Sequence, residues 1–327
     1  MLDKVFSGKK IFVTGGLGFI GSTLVRRLVD YSAAVTIIDA LIDGQGGNEA
    51  NIAGLEDLID VRIADIGDEA KWHDVEDAEY VFNLAGFTSH VRSHEEPLRD
   101  LDINCRSHLQ CLEVLRKKNP RCKLVLSGSR SQYGKASYLP MDESHPFNVT
   151  DINGVHKVAV EHYHRLYSNL YGMPCCRLRL ANIYGPRHQM SHSKQGFLNW
   201  FVRVAMDGGE IKVFGTGEQK RDFVYVDDAV EAILRAAAEP ACYGEALNVG
   251  SGEGIEVKQA AEIVAGITGT GFSLVPFPKE YKQIEVGDLF LDVSKIKKLT
   301  GWQPEVSLTD GVARTIDFYR LQRDEYW

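Results

Sequence analysis

The sequence predicts an α/β protein: a doubly wound parallel sheet, with a smaller mixed C-terminal lobe. Two observations carry this. Short runs rich in β-branched residues alternate with helical patterns through the first half of the chain, and such alternation builds βαβ units with helices on both sheet faces. The first unit also turns on a glycine-rich stretch, "VTGGLGFIGS", set between a strand pattern and a helix pattern.

In chain order, "KKIFVTGG" leads into the helical "GSTLVRRLVDY", and "AAVTIIDA" follows as the second strand. "VRIADI", "EYVFNLAG", "CKLVLSGS" and "CCRLRLAN" read as later strands. "VDDAVEAILRAAAE" and "EVKQAAEIVAGITG" space their apolar residues as helices do. No repeat or hinge sequence interrupts the chain, so a cleft between packed lobes is expected. Residues 1–180 plus about 222–251 are assigned to the sheet domain, and about 181–221 plus 252–327 to the second lobe.

Composition narrows the function. Lys and Arg number 37 against 45 Asp and Glu, a net charge of −8 with no basic run, which argues against a nucleic-acid partner. The stretch Ile11 to Val25 is too short and glycine-rich to span a bilayer, and no signal-peptide core follows Lys4, Lys9 and Lys10. The six cysteines show no C-x-x-C spacing, so a reduced, cytoplasmic protein is expected. No ligand cluster has the spacing of a metal site.

Gly15, Gly18 and Gly21 are spaced G-x-x-G-x-x-G. Together they permit a tight turn, backbone approach to a pyrophosphate and close helix–strand packing, the features of a Rossmann dinucleotide site. The helix start offers unpaired N–H groups and a positive dipole end. Asp39 closes "VTIID", 18 residues after Gly21. A carboxylate there accepts ribose hydroxyls and repels a 2′-phosphate, which favours NAD over NADP.

With these residues in view, the chain resembles the extended short-chain dehydrogenase/reductases, specifically the nucleotide-sugar epimerase/dehydratase branch that includes UDP-glucose 4-epimerase. "VTGGLGFIGS" is similar to that family's opening, which implies that Phe19 and Ile20 join the three glycines around NAD. By the same resemblance, Asp65 and Ile66 of "ADIGD" hold the adenine, Ala85 and Gly86 of "NLAG" lie beside the cofactor, and Asn104 marks a helix kink. "RLANIYGPR" implies a sugar-nucleotide contact at Asn182, with Arg187 close by, and "VFGTGEQKRDFVYVDDAVEAIL" implies that Arg221 grips the diphosphate. A guanidinium fork in a sheltered turn suits that task; a surface arginine beside Asp222 is the alternative. Asp288 of "IEVGDLFLD" is the remaining substrate-side expectation. In that stretch Glu285 stands near where relatives often carry an arginine, and it would repel a diphosphate, with Arg187 or Lys194 as electrostatic compensation.

The resemblance also implies a hydroxyl residue, a tyrosine and a lysine at the reacting centre. Ser129 fits the hydroxyl position and Lys157 the lysine, which binds the nicotinamide ribose. Arg130 and Ser131 follow Ser129 where dehydratases usually carry acidic residues, and a guanidinium cannot act as their base. Asn153 stands four residues before Lys157, on the same helix face, where the tyrosine belongs. It can hydrogen-bond a substrate hydroxyl but has no proton to exchange near neutral pH.

Several explanations stand open. Another group handles the proton, with His156, Asp151, Tyr184, His188 and His192 the nearest candidates by motif. A different sugar carbon and base are used. The protein binds NAD and a nucleotide-diphosphate sugar without turning them over, in a regulatory or scaffolding role. Or the asparagine was introduced. The resemblance further implies a homodimer through the helices of "LQCLEVLRKK" and "VEHYHRLYSNLYG", where Leu109, Leu112, Leu166 and Leu170 serve either an interface or the internal core.

Overall fold

The computed structural model describes residues 2–279, 282 and 285–327. Strands β1 (Lys10–Thr14), β2 (Ala34–Asp39), β3 (Ile59–Ile63), β4 (Tyr80–Asn83), β5 (Lys123–Ser129) and β6 (Cys175–Leu180) belong to the central sheet. Shorter strands follow: β7 (Asn182–Tyr184), β8 (Ile211–Phe214), β9 (Lys220–Arg221) and β10 (Phe223–Tyr225). β11 (Ala246–Val249) returns to the sheet, and β12 (Ile255–Glu256) and β13 (Phe272–Val275) lie beyond it. The sheet has seven strands in the order β11-β6-β5-β4-β1-β2-β3, every pair parallel. Strand order reverses between β1 and β4, and parallel sheets bind ligands in the crevice that such a reversal opens at the strands' carboxyl ends.

Burial explains the strand sequences. All four residues of β4 and all six of β6 are buried, as expected where helices cover both faces. Cys175 and Cys176 are neighbours in β6 but join different core clusters, because successive strand residues point to opposite faces. All six cysteines are buried free thiols, and burial pushes Cys105 and Cys242 up to about 11.

A second core gathers Tyr184, Leu198, Phe201, Ile211, Val264 and Tyr319. Beside it β7 pairs with β10, β8 with β13 and β9 with β12. The chain beyond residue 252 contributes Val257, Ala261, Val312 and Ile316 to this second core, but one segment packs elsewhere. Ile296 and Trp302 are buried in the core of the large sheet. Trp302 is held there because its indole N–H donates to the Asp228 carbonyl at 3.0 Å, while the Asp228 carboxylate accepts from Glu305 and Val306 N–H.

The helix Ile152–Tyr171 starts on Asp151, whose carboxylate accepts from Gly154 N–H at 2.7 Å. Its neighbour runs Pro97–Leu101, a π-turn Asp102–Arg106 and Ser107–Lys118. Of the four leucines expected at an interface or in the core, Leu112 is fully buried. Leu166 and Leu170 are exposed, as are Leu98, Val155 and Tyr171 on the same two helical segments. Among the described residues, no helix is long and apolar enough to cross a membrane.

Candidate active site

A cleft of about 830 Å³ opens between the carboxyl edge of the sheet and the second core. One wall is the glycine turn. Gly15 adopts φ +68°, and a Cβ there would lie 2.9 Å from Ala85 N; at Gly21 a Cβ would meet the Gly15 carbonyl oxygen. Side chains at either position would collide with backbone, so the two glycines let the turn pack tightly against the loop after β4 and against the helix start. Gly18 begins the helix Phe19–Asp30 with no side-chain cap, so the helix's first N–H groups stay open toward an anion. Asp39, at the end of β2, accepts from Leu17 N–H at 3.0 Å and Leu41 N–H at 2.9 Å. Its carboxyl is raised above its ordinary value by burial, partly offset by those two donors. Phe19, Ile20, Asp65, Ile66, Ala85 and Gly86 also line the cleft. The residues present therefore fit a dinucleotide.

Ser129 ends β5 and faces the same space. Its backbone N–H donates to Gln132 Oε1 at 3.0 Å, and Gln132 Nε2 donates to Glu161 Oε2 at 2.6 Å. Glu161 in turn receives Arg179 Nε at 2.9 Å and Nη2 at 2.5 Å. A buried ion pair thus fixes the strand end that carries the serine. Lys157 lies on the floor, its Nζ donating to Asn104 Oδ1 at 2.9 Å. Burial holds its ammonium below the ordinary value, with Asp100 opposing. Asn104 sits in the π-turn behind it, fully buried, and its Nδ2 donates to Phe87 O and Asp100 Oδ1; it steadies Lys157 and does not line the cleft.

Asn153 takes part in the same buried network. Its Nδ2 donates to Phe87 O at 2.8 Å and to Asp100 Oδ2 at 3.1 Å. Both amide hydrogens are therefore engaged, so Asn153 has no donor left for a substrate oxygen.

On the substrate side, Asn182 and Arg221 line the cleft, whereas Arg187 and Asp288 do not. Arg187 lies over the Phe318 ring at 5.5 Å and donates to Thr23 Oγ1 at 3.5 Å. Asp288 is exposed and accepts from Lys220 N–H at 2.8 Å, tying off the edge of β9. Glu285 pairs with Arg221 Nη2 at 2.6 Å, so its charge is matched and does not stand bare against a ligand, as the sequence suggested. Arg221 Nη1 donates to the Lys220 and Gly287 carbonyls. Arg130 is the second guanidinium here, with Nε donating to Asn182 Oδ1 at 3.0 Å. Burial, helped by Arg221, brings Arg130 down to about 10, which leaves it cationic at neutral pH. Arg130 was read only for what it could not do; its place beside Asn182 follows from the pairing of β5 with β6.

The candidate proton carriers separate by geometry. His156 Nδ1 donates to buried Asp100 at 2.5 Å, and the ring does not line the cleft. His192 bridges loops through Gly44 O at 3.0 Å. Tyr184 turns its hydroxyl toward the carbonyls of Ser307 and Leu308, each at 3.4 Å. His188 is buried edge-on to Phe19 with Nδ1 on Gln189 O, and burial lowers it to about 4. Asp151 lines the cleft and accepts from His90 Nδ1 at 2.9 Å. His90 lies just after the "NLAG" loop and was not singled out from the sequence; its partner is 61 residues away.

Comparison with known proteins agrees with this geometry. The chain is 33% identical over 321 residues to a UDP-glucose 4-epimerase of Mycolicibacterium smegmatis, covering 95% of this chain and 98% of that protein. An epimerase structure from Methanothermobacter thermautotrophicus superposes with a TM-score of 0.92 at 28% identity, covering 99% of this chain and 95% of the other. The UDP-glucose 4-epimerase of Thermotoga maritima, solved with UDP-glucose, gives 0.86 at 32% identity, covering 96% and 99%. The model of the NAD dependent epimerase/dehydratase family matches residues 11–250. Glycine turn, parallel sheet and family match agree, and the chain belongs to that family, within the nucleotide-sugar branch of the extended short-chain dehydrogenase/reductases.

Proposed function

We propose that the protein is an NAD-dependent nucleotide-sugar epimerase that transiently oxidises a ring carbon, C4, and restores it with inverted configuration. One observation carries the reading: a single cleft joins a dinucleotide cradle to a substrate wall bearing two guanidinium groups, with Ser129 and Lys157 at the junction. Gly15, Gly18, Gly21 and Asp39 would hold the dinucleotide, which supplies the hydride acceptor and donor when bound. Lys157 would bind its ribose, and the family description supports NAD. Arg221 and Arg130 would hold the diphosphate through charge-assisted hydrogen bonds. Ser129 would orient the reacting hydroxyl. The absence of a carboxylate after Ser129 favours epimerisation over dehydration, because loss of water needs a base at the neighbouring carbon.

The exposed leucines of the two long helical segments support a homodimer. The test of function is a panel of UDP-, GDP-, CDP- and dTDP-sugars incubated with purified protein and followed by NMR. Interconversion of one epimer pair without net NADH formation is expected. Binding of several sugars with no conversion would instead establish a site that has lost catalysis.

A further inference from the structure

Any oxidation of a sugar hydroxyl in this cleft releases a proton, and Asn153 cannot take it. Among the described residues, one imidazole borders the cleft with a carboxylate already in place behind it. His90 is about one-third exposed, while the Asp151 side chain is nearly buried at 6%. The Asp151 carboxylate accepts two hydrogen bonds, from Gly154 N–H at 2.7 Å and from His90 Nδ1 at 2.9 Å. Burial alone would raise this carboxyl, but His90 and the Gly154 N–H together hold it below its ordinary value, so it is ionised at neutral pH. An ionised carboxylate can only accept, which places a proton on Nδ1, so that the neutral imidazole carries its lone pair on Nε2. Nε2 has no hydrogen-bond partner among the described residues and is not among the buried unsatisfied atoms. Asp151 caps the same helix that carries Asn153 and Lys157, so the pair is tied to the reacting centre by a rigid element.

We infer that His90, oriented by Asp151, is the proton carrier that stands in for the absent tyrosine. This rests on the epimerase reading above. In the forward step the sugar hydroxyl gives its proton to Nε2 as the C–H electron pair leaves as hydride for the oxidised nicotinamide dinucleotide, and the ring carbon becomes a carbonyl. In the return step hydride adds to the other face and Nε2 gives the proton back to the oxygen. His90 is the catalytic residue; Asp151 is a positioning residue that fixes the tautomer.

Two measurements test this. The first compares turnover of the converted sugar by wild type and His90→Ala. General acid–base catalysis contributes about 10²–10⁴-fold, so kcat should fall by about 10² or more while KM and dinucleotide affinity stay within about twofold, and added imidazole should restore part of the rate. If wild type converts a sugar and His90→Ala keeps more than a fifth of its kcat, the dyad is wrong and the epimerase reading stands. If wild type binds the sugar panel but converts none, both fail. The second needs no turnover: ¹⁵N NMR of the wild type with labelled histidine at neutral pH. A protonated Nδ1 and bare Nε2 at His90, lost in Asp151→Asn, supports the assignment; the Nε2–H tautomer overturns it. Asparagine at 151 retains a helix cap, so that variant separates tautomer control from folding.

Discussion

Replacing Arg179 by methionine tests the scaffold beneath Ser129. The guanidinium makes a bidentate pair with Glu161, donates to Tyr133 OH at 2.8 Å, and lies 4.9 Å from the centres of the Tyr133 and Phe147 rings. Arg179 and Glu161 are both buried, at 4% and 7% exposure. Methionine fills much of the volume but leaves the Glu161 carboxylate without its hydrogen-bonded cation, with only the more distant field of Arg177 remaining. Removing one partner of a buried pair costs about 3–5 kcal/mol. With an unfolding entropy of about 2.1 cal/mol/K per residue, a chain of 327 residues loses about 1.5 °C per kcal/mol. The expected fall in Tm is therefore about 4–7 °C by scanning calorimetry at neutral pH.

The pH dependence has a definite sign. Against the opposing effect of burial, Arg179 and Gln132 hold Glu161 below its ordinary 4.5 in the folded protein. That stabilisation is fully present above 4.5 and is lost as pH falls through the folded value. The variant lacks it, so its deficit should be complete at neutral pH and narrow as the solution is acidified below about pH 5. Replacing Glu161 by leucine together with Arg179→Met should recover part of the loss, since an apolar pair of similar volume tolerates burial. A Tm change under about 1 °C, or a double variant no more stable than the single one, would refute the claim that this ion pair supports the strand end.

Three further outcomes follow from the cleft. Gly15→Ala puts a Cβ 2.9 Å from Ala85 N at φ +68°; at a cost of about 1–3 kcal/mol for the strained backbone, dinucleotide affinity by calorimetry should fall at least tenfold. Asp39→Asn removes a charge that would repel a 2′-phosphate by about 4 kcal/mol at about 4 Å and an effective dielectric constant of about 20, so the preference for NAD over NADP should shrink by tenfold or more; unchanged discrimination would show that Asp39 does not face the ribose. Asn153→Tyr strips one hydrogen bond each from Phe87 O and the buried Asp100 carboxylate, both of which keep Asn104 as a donor, so each loss costs about 0.5–1.5 kcal/mol. It should lower Tm without raising kcat, and a gain in turnover would return the proton to the familiar position.

Much of this protein is local and therefore readable in one dimension. The β-branched runs marked β1 to β6, and helical spacings marked the helices at Phe19–Asp30, Val226–Ala238 and Val257–Thr268, because burial on two faces or on one stripe imposes those periods; β11, the seventh strand, was not read as one. The glycine turn was legible for the same reason: Gly15 needs a positive φ and Gly21 has no room for a Cβ, both properties of the residue itself. Asn153 and Lys157 are one helical turn apart, so their shared face was certain once the helix was.

What the chain could not announce lies in contacts between elements. His90 meets Asp151 across 61 positions, Arg130 meets Asn182 across 52, and Arg221 meets Glu285 across 64. Each pairing depends on how strands register and where loops return, which no local pattern encodes. Trp302 is likewise placed by distant contacts, in the apolar core of the large sheet with the Asp228 carbonyl for its indole N–H. Sequence alone determined the elements and the dinucleotide turn, since backbone sterics and burial periodicity act over a few residues. Only the tertiary structure decided which charges are matched and which imidazole has a carboxylate behind it, since electrostatic partnership is set by distance in space.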